Sequence, residues 1–251
     1  MQANSVVLIT GGSRGIGAAA ALLAAEQGWA VAINYASNAQ AAQQVADKIR
    51  ARGGRAITVQ ADVGDEAQVM AMFEQVDAHF GRLDGLVNNA GVVDVKARVD
   101  ELSVARLERM MRINIIGSFV CAREAVRRMS TRHGGRGGAI VNVSSAAARL
   151  GSPAQYVDYA ASKGAIETLT VGLAKEIAEE GIRVNAVRPG LIDTEIHASG
   201  GMPDRAFELA GTVPMKRVGT AQEVAQAIVW LLSPDTASYV TGTFIDVSGG
   251  R

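Results

Sequence analysis

With Cys121 as its only cysteine, the 251-residue chain cannot form an internal disulfide, and a reducing compartment is the simplest expectation. An excess of either charge is also missing. The 25 Lys+Arg residues balance 25 Asp+Glu residues, which argues against general attraction to nucleic acid or to an anionic membrane surface. No apolar run approaches the ~18 residues of a membrane-spanning helix. Met1–Ser5 offers no basic stretch ahead of a long apolar core, so no secretory leader is expected and a cytoplasmic location follows. The three histidines, His79, His133 and His197, are far apart and lack ligand spacing, and no metal is assigned.

The 48% hydrophobic and 20% charged residues suit a globular chain with a substantial core. Short runs rich in β-branched residues read as strands at Ser5–Thr10, Trp29–Asn34, Ala56–Gln60, Gly85–Asn88, Ala139–Ser144, Arg183–Arg188 and Thr243–Val247. Their near-continuous apolar content predicts burial on both faces, as in a parallel sheet. Between them, Ile16–Gln27, Ala39–Arg52, Asp65–Phe80, Val104–Ser130, Tyr156–Glu180 and Ala221–Leu232 carry helical spacing. Parallel strands need such crossovers, so the expected fold is α/β: a Rossmann-type doubly wound parallel sheet of about seven strands, in one domain spanning 1–251. An irregular stretch near 194–212, with Gly200, Gly201 and Pro203, reads as a lid over a site or as a plain surface loop. His197 within it is a candidate substrate contact, with a solvated loop residue as the plainer reading.

The first strand runs into Thr10-Gly11-Gly12-Ser13-Arg14-Gly15-Ile16-Gly17 and an Ala-rich helix. Glycines there permit a tight turn and close approach of phosphate oxygens to backbone N–H groups, and the helix N-terminus adds a favourable dipole. The glycines fall at 11, 15 and 17. This stretch resembles the T-G-x-x-x-G-x-G motif of short-chain dehydrogenases/reductases, and further motifs of that family follow in order. They are Asp62-Val63, Asn88-Asn89-Ala90-Gly91, Asn114-Ile115-Ile116-Gly117, Ser145, Tyr159-Ala160-Ala161-Ser162-Lys163, and Pro189-Gly190 with Thr194. The likeness covers about Val6 to Gly250. It is similar to bacterial glucose-dehydrogenase-like and 3-oxoacyl-carrier-protein-reductase-like members, and fold and catalytic group do not choose between these. No basic patch for an acidic carrier protein is evident.

A carboxylate at the end of the second strand would bond adenosine ribose hydroxyls and repel a 2′-phosphate. Here that strand ends Ile33-Asn34-Tyr35-Ala36-Ser37-Asn38, with no acid, while Arg14 places a guanidinium in the glycine turn. NADP(H) is therefore favoured, with NAD(H) also open. Asn34 is taken as a cofactor contact acceptable to either. By resemblance, Asp62 and Val63 flank the adenine. Asn89, Ala90 and Gly91 run alongside the cofactor, as do Pro189 and Gly190, while Ile192 and Thr194 hold the carboxamide.

Tyr159 and Lys163 lie four residues apart and share a helix face. A free tyrosine has a pKa of about 10, too high for an efficient base near neutrality. An ammonium at ~4 Å favours the phenolate by up to about 4 kcal/mol at an effective dielectric of ~20. Tyr159 is accordingly the expected general acid/base, and Lys163 the group that lowers its pKa and binds the nicotinamide ribose. Ser144 and Ser145 are adjacent and point opposite ways in a strand, and the family pattern selects Ser145 to orient the substrate oxygen. Asn114, by resemblance, belongs to a proton relay; its plainer reading is a helix-kinking Asn bonded to backbone. The spacing from Ser145 to Tyr159 is one residue longer than in some members, a departure on the substrate side. The implied activity is hydride transfer between NADP(H) and a small carbonyl or secondary-alcohol substrate. A catalytically silent NADP(H)-binding sensor is the alternative, though such proteins are expected to lose the Tyr or Lys. The resemblance also implies a homotetramer.

Overall fold

The computed structural model describes residues 5–202 and 204–251, with the side chains of His197 and Ser199 outside that description. The readings placed on His197 and Pro203 therefore fall outside the described residues. Along the chain run β1 (Val6–Ile9), α1 (Gly15–Glu26), β2 (Ala30–Tyr35), α2 (Ala39–Ala51), β3 (Ala56–Gln60), α3 (Glu66–Phe80) and β4 (Gly85–Asn88). There follow α4 (Val104–Met111), α5 (Gly117–Met129), β5 (Gly138–Val143), α6 (Ala147–Leu150), α7 (Val157–Glu176) and β6 (Ile182–Pro189). Then come β7 (Ile192–Asp193), α8 (Ile196–Ser199), α9 (Arg205–Glu208), β8 (Gly219–Thr220), α10 (Ala221–Leu232) and β9 (Phe244–Val247).

Seven strands form one parallel sheet in the order β3-β2-β1-β4-β5-β6-β9, as the strand pattern predicted, and β7 and β8 make a separate short pair. Successive side chains of β1 enter opposite faces: Val7 and Ile9 join one core with α1, α2 and α10, while Val6 and Leu8 join another with α3, α5 and α7. Burial on both faces is why the strand sequences are almost wholly apolar. From β1 the sheet continues one way through β2 and β3 and the other way through β4, so a crevice opens at the carboxyl ends of β1 and β4.

Local chemistry sets the helix ends. Asp65 caps α3 by accepting from the Gln68 N–H, and that helix stops at Gly81 in the left-handed conformation. Thr220 and Glu223 form a capping box on α10.

The expected single helix Val104–Ser130 is interrupted. Arg112–Ile116 is π-helical and separates α4 from α5. Two tertiary contacts account for the wider turn: Asn114 bonds both ways to the Val92 backbone, at 2.8 and 3.0 Å, and Gly117 packs where a Cβ would lie 2.6 Å from the Val63 oxygen. The expected helix Tyr156–Glu180 likewise ends at Glu176, with a 3₁₀ turn over Ala178–Glu180. The stretch near 194–212 contains α8, α9 and a 3₁₀ turn, Ala210–Thr212.

Candidate active site

The glycine turn is held from below by side chains whose roles the motif does not reveal. Thr10 Oγ1 accepts from the N–H groups of Asn89 and Ala90, both at 3.0 Å, and Asn89 Nδ2 donates to the Thr10 and Gly11 oxygens at 2.9 and 3.0 Å. Gly11 and Gly15 both take positive φ, +61° and +52°, which any other residue would adopt only with strain. A Cβ on Gly17 would lie 2.4 Å from the Gly11 oxygen and 2.6 Å from Asn89 Nδ2, so helix and turn touch only because it is absent. No side chain caps the start of α1, and its first turn holds no acid. The dipole of α1 thus meets no acid from its own first turn, while the Glu195 carboxylate stands 3.5 Å from where a Cβ on Gly15 would lie. Arg14 is exposed beside Gly15. The turn fits the phosphates of a dinucleotide.

Asn34 sits differently from expectation. It is 1% exposed, accepts from the Gly11 N–H at 3.1 Å, and donates to the Val59 and Ala61 oxygens at 3.3 and 3.0 Å. Its carboxamide braces the turn against β3 rather than facing outward. Val63 is likewise buried in the core, and Asp62 accepts from the Gly64 N–H at 2.9 Å, holding the turn after β3.

At the carboxyl ends of β4, β5 and β6 a cleft is lined by Ser145, Tyr159 and Lys163, and its wall includes Ile16, Asn89 and Gly91. Pro189, Gly190, Ile192 and Thr194 close another side. The adjacent serines part as alternation requires. Ser144 is buried and donates to Glu167 Oε1 at 3.0 Å, whereas Ser145 accepts from the Ala147 N–H at 3.1 Å and shares a hydrogen bond with Tyr159.

Burial pushes the Tyr159 phenol above its ordinary value, and the Ser145 hydrogen bond only partly opposes this. Lys163 Nζ lies 5.6 Å from the Tyr159 ring centre and donates to the Val143 oxygen at 2.7 Å. Burial pushes Lys163 down to about 8. The lowering of Tyr159 expected from Lys163 is not seen in this geometry: burial raises the phenol, and the hydrogen bond from Ser145 is what opposes it. Asn114 also donates to Ser162 Oγ at 3.1 Å, tying the π-helical stretch to α7. A Cβ on Gly91 would stand 3.4 Å from Asn114 Oδ1 and 3.6 Å from Lys163 Nζ, so a glycine there leaves room beside both.

Three side chains have roles that the motifs do not mark. Asp158, buried next to Tyr159, takes two bonds from Arg106, at 2.8 and 3.2 Å, and anchors the first turn of α7. Arg205 and Arg251 line the cleft. No spacing rule marks any of them, since each acts across a large sequence distance. Among the described residues there is no group of three or more His, Cys, Asp or Glu able to hold a metal ion. No helix among them is long and apolar enough to cross a membrane.

Residues 11–251 match a family model described as enoyl-(acyl carrier protein) reductase. The chain is 58% identical to an uncharacterised oxidoreductase of Escherichia coli (strain K12), YgfF, over 98% of this chain and 100% of the relative. It is 43% identical to a cis-4-hydroxycyclohexanecarboxylate dehydrogenase of Sinomonas cyclohexanicum, over 99% and 96% of the two chains. Among solved structures, a short-chain dehydrogenase of Burkholderia cenocepacia J2315 in complex with NADP superposes with a TM-score of 0.89 at 34% identity, covering 98% and 97% of the chains.

Proposed function

Because the chain belongs to the short-chain dehydrogenase/reductase family of oxidoreductases, we propose that it transfers a hydride between NADP(H) and a carbonyl or secondary alcohol. The observation that carries this reading is the meeting of Ser145, Tyr159 and Lys163 in one cleft beside the glycine turn. A silent cofactor-binding protein has no need of that meeting.

When bound, the cofactor supplies the hydride at its nicotinamide C4. Gly11, Ser13, Gly15, Ile16 and Gly17 would hold its phosphates, and Arg14 a 2′-phosphate. Asn89, Ala90, Gly91, Pro189, Gly190, Ile192 and Thr194 would bound the remainder, with Asp62 and Val63 beside the adenine. Asn34 takes a supporting part through Gly11. The relative crystallised with NADP and the absence of an acid after β2 support the preference for NADP(H).

The protein's own chemistry rests on proton handling. Ser145 and Tyr159 present two hydroxyls to one cleft, which suits a single substrate oxygen better than an olefin. Tyr159, its phenol raised by burial, is protonated at neutral pH and donates to the carbonyl oxygen during reduction. Ser145 holds that oxygen in place. Lys163 stabilises the phenolate left behind and would bond the nicotinamide ribose, and Asn114 belongs to the route by which the proton is restored. The Sinomonas relative acts, by its name, on a ring secondary alcohol, which fits this substrate class.

The stretch 194–212 is proposed as a lid. Exposed Ile116 and Phe119 near the start of α5 support a homotetramer, and a cytoplasmic location completes the reading. Fluorescence titration with NADPH and NADH, followed by a carbonyl panel scored on NADPH loss, tests it. Tighter NADPH binding with turnover is expected; binding without turnover of any carbonyl would favour the silent alternative.

A further inference from the structure

One end of the cleft carries a positive charge that hydride transfer does not use. After β9, Gly249 and Gly250 both take positive φ, +64° and +92°, and turn the chain back so that Arg251 lines the same cleft as Ser145 and Tyr159. The turn is fixed. The Arg251 main-chain oxygen accepts from Arg149 Nη2 at 3.2 Å and Ser248 Oγ at 2.9 Å, and a Cβ on Gly250 would meet Pro214 at 3.1 Å. Arg251 Nη1 is buried and has no hydrogen-bond partner among the described residues. Such a donor is costly to leave unmade.

Arg205, from α9, lines the cleft as well, with its guanidinium 5.1 Å from the Tyr156 ring centre and Nη2 donating to Gln155 Oε1 at 2.6 Å. That partner is neutral. The nearby carboxylate of Asp246 is engaged by Arg149 at 3.3 Å and Arg188 at 3.8 Å. Neither Arg205 nor Arg251 forms a salt bridge among the described residues. Burial and the charge of Arg205 both push Arg251 down, the situation of two cations facing one space without an anion between them.

We propose that Arg251 and Arg205 form an anion subsite in the substrate cleft, so that the substrate carries a carboxylate in addition to its carbonyl or hydroxyl. The proposal rests on the hydride-transfer reading for the second group and stands on the arginines for the first. A carboxylate matches the planar guanidinium fork, which offers paired donors. Val93, Leu150, Leu191 and Ile196 line the cleft with apolar surface, suited to a compact hydrocarbon body linking the two polar ends.

The test is calorimetric titration of the NADPH-loaded protein with cyclohexanecarboxylate and its neutral analogue, cyclohexanecarboxamide. The carboxylate is expected to bind roughly ten- to a hundred-fold more tightly, the span of one charge-assisted contact. Arg251→Gln and Arg205→Gln should each reduce that preference, and the double variant should abolish it. Arg251→Lys, which keeps the charge but not the fork, should retain part. All are expected to keep the wild-type NADPH affinity, which shows that the fold is intact. Equal binding of carboxylate and amide by the wild type, or a preference surviving in the double variant, would overturn the proposal. Inorganic phosphate competing as strongly as the carboxylate would overturn the assignment of a carboxylate. Turnover of keto acids and their methyl esters reads the other premise separately. Consumption of esters as readily as acids would retain hydride transfer and overturn the subsite, whereas no NADPH loss with either would count against hydride transfer while calorimetry decides the subsite.

Discussion

The nucleotide side and the substrate side of the cleft are built by different means. On the nucleotide side the backbone does most of the work: Gly11, Gly15 and Gly17 shape a turn that Thr10, Asn34 and Asn89 brace from beneath. On the substrate side single side chains arrive from distant segments: Tyr159 from α7, Arg205 from α9 and Arg251 beyond β9. Requirements of close backbone approach constrain residue type position by position, whereas a side chain reaching into a pocket can come from many places. The nucleotide half is therefore general to a fold, and the substrate half particular to a chain.

This division makes the two halves separable by substitution. The largest effect is expected on the substrate side. Tyr159→Phe should lower kcat for ketone reduction by about 10²–10⁴-fold while leaving NADPH affinity near wild type, checked by steady-state kinetics beside fluorescence titration. Weakened NADPH binding of similar size would break the separation. Next comes the support of that tyrosine. Asp158→Ala leaves Arg106 largely buried without its carboxylate, and should cost about 3–5 kcal/mol in denaturant unfolding. A loss confined to activity would show that the pair is not structural.

On the nucleotide side, Asn34→Asp places a charge at a buried position and removes donors to Val59 and Ala61. It should destabilise the fold by about 1–3 kcal/mol rather than convert the protein to NADH use. A stable, NADH-preferring variant would return Asn34 to the role of a direct cofactor contact. Lys163 sharpens the pH behaviour. With its amine pushed down to about 8, its positive charge is present below that pH and lost above it. The kcat/KM for reduction should therefore fall as pH rises through that region, and Lys163→Met should lack this limb. Smallest is Arg14→Ala, expected to weaken NADPH binding about ten-fold more than NADH binding. Equal losses would remove the charge basis for NADP(H).

The same division explains what could be read from residues alone. The alternating strand and helix pattern specified the sheet because burial on both faces leaves an unmistakable apolar signal. The Gly-rich turn and the Tyr159–Lys163 spacing are local and therefore visible. The π-helical break at Asn114 is not local: it depends on Val92 and Val63, whereas the periodicity of Val104–Ser130 by itself predicts a continuous helix. The place of Asn34 at a strand end suggests a cofactor contact, but its side chain turns inward to Gly11. Arg251 carries no motif. Only the glycine-rich turn after β9, packed against Pro214, brings it to the cleft.

Hydride transfer is the central claim, and its most direct test uses NADPH deuterated at the nicotinamide C4 on one face or the other. With a ketone that the wild-type protein reduces, one of the two labelled forms should deliver its deuterium to the carbinol carbon of the product alcohol. Alcohol formed without deuterium from either form would contradict the account.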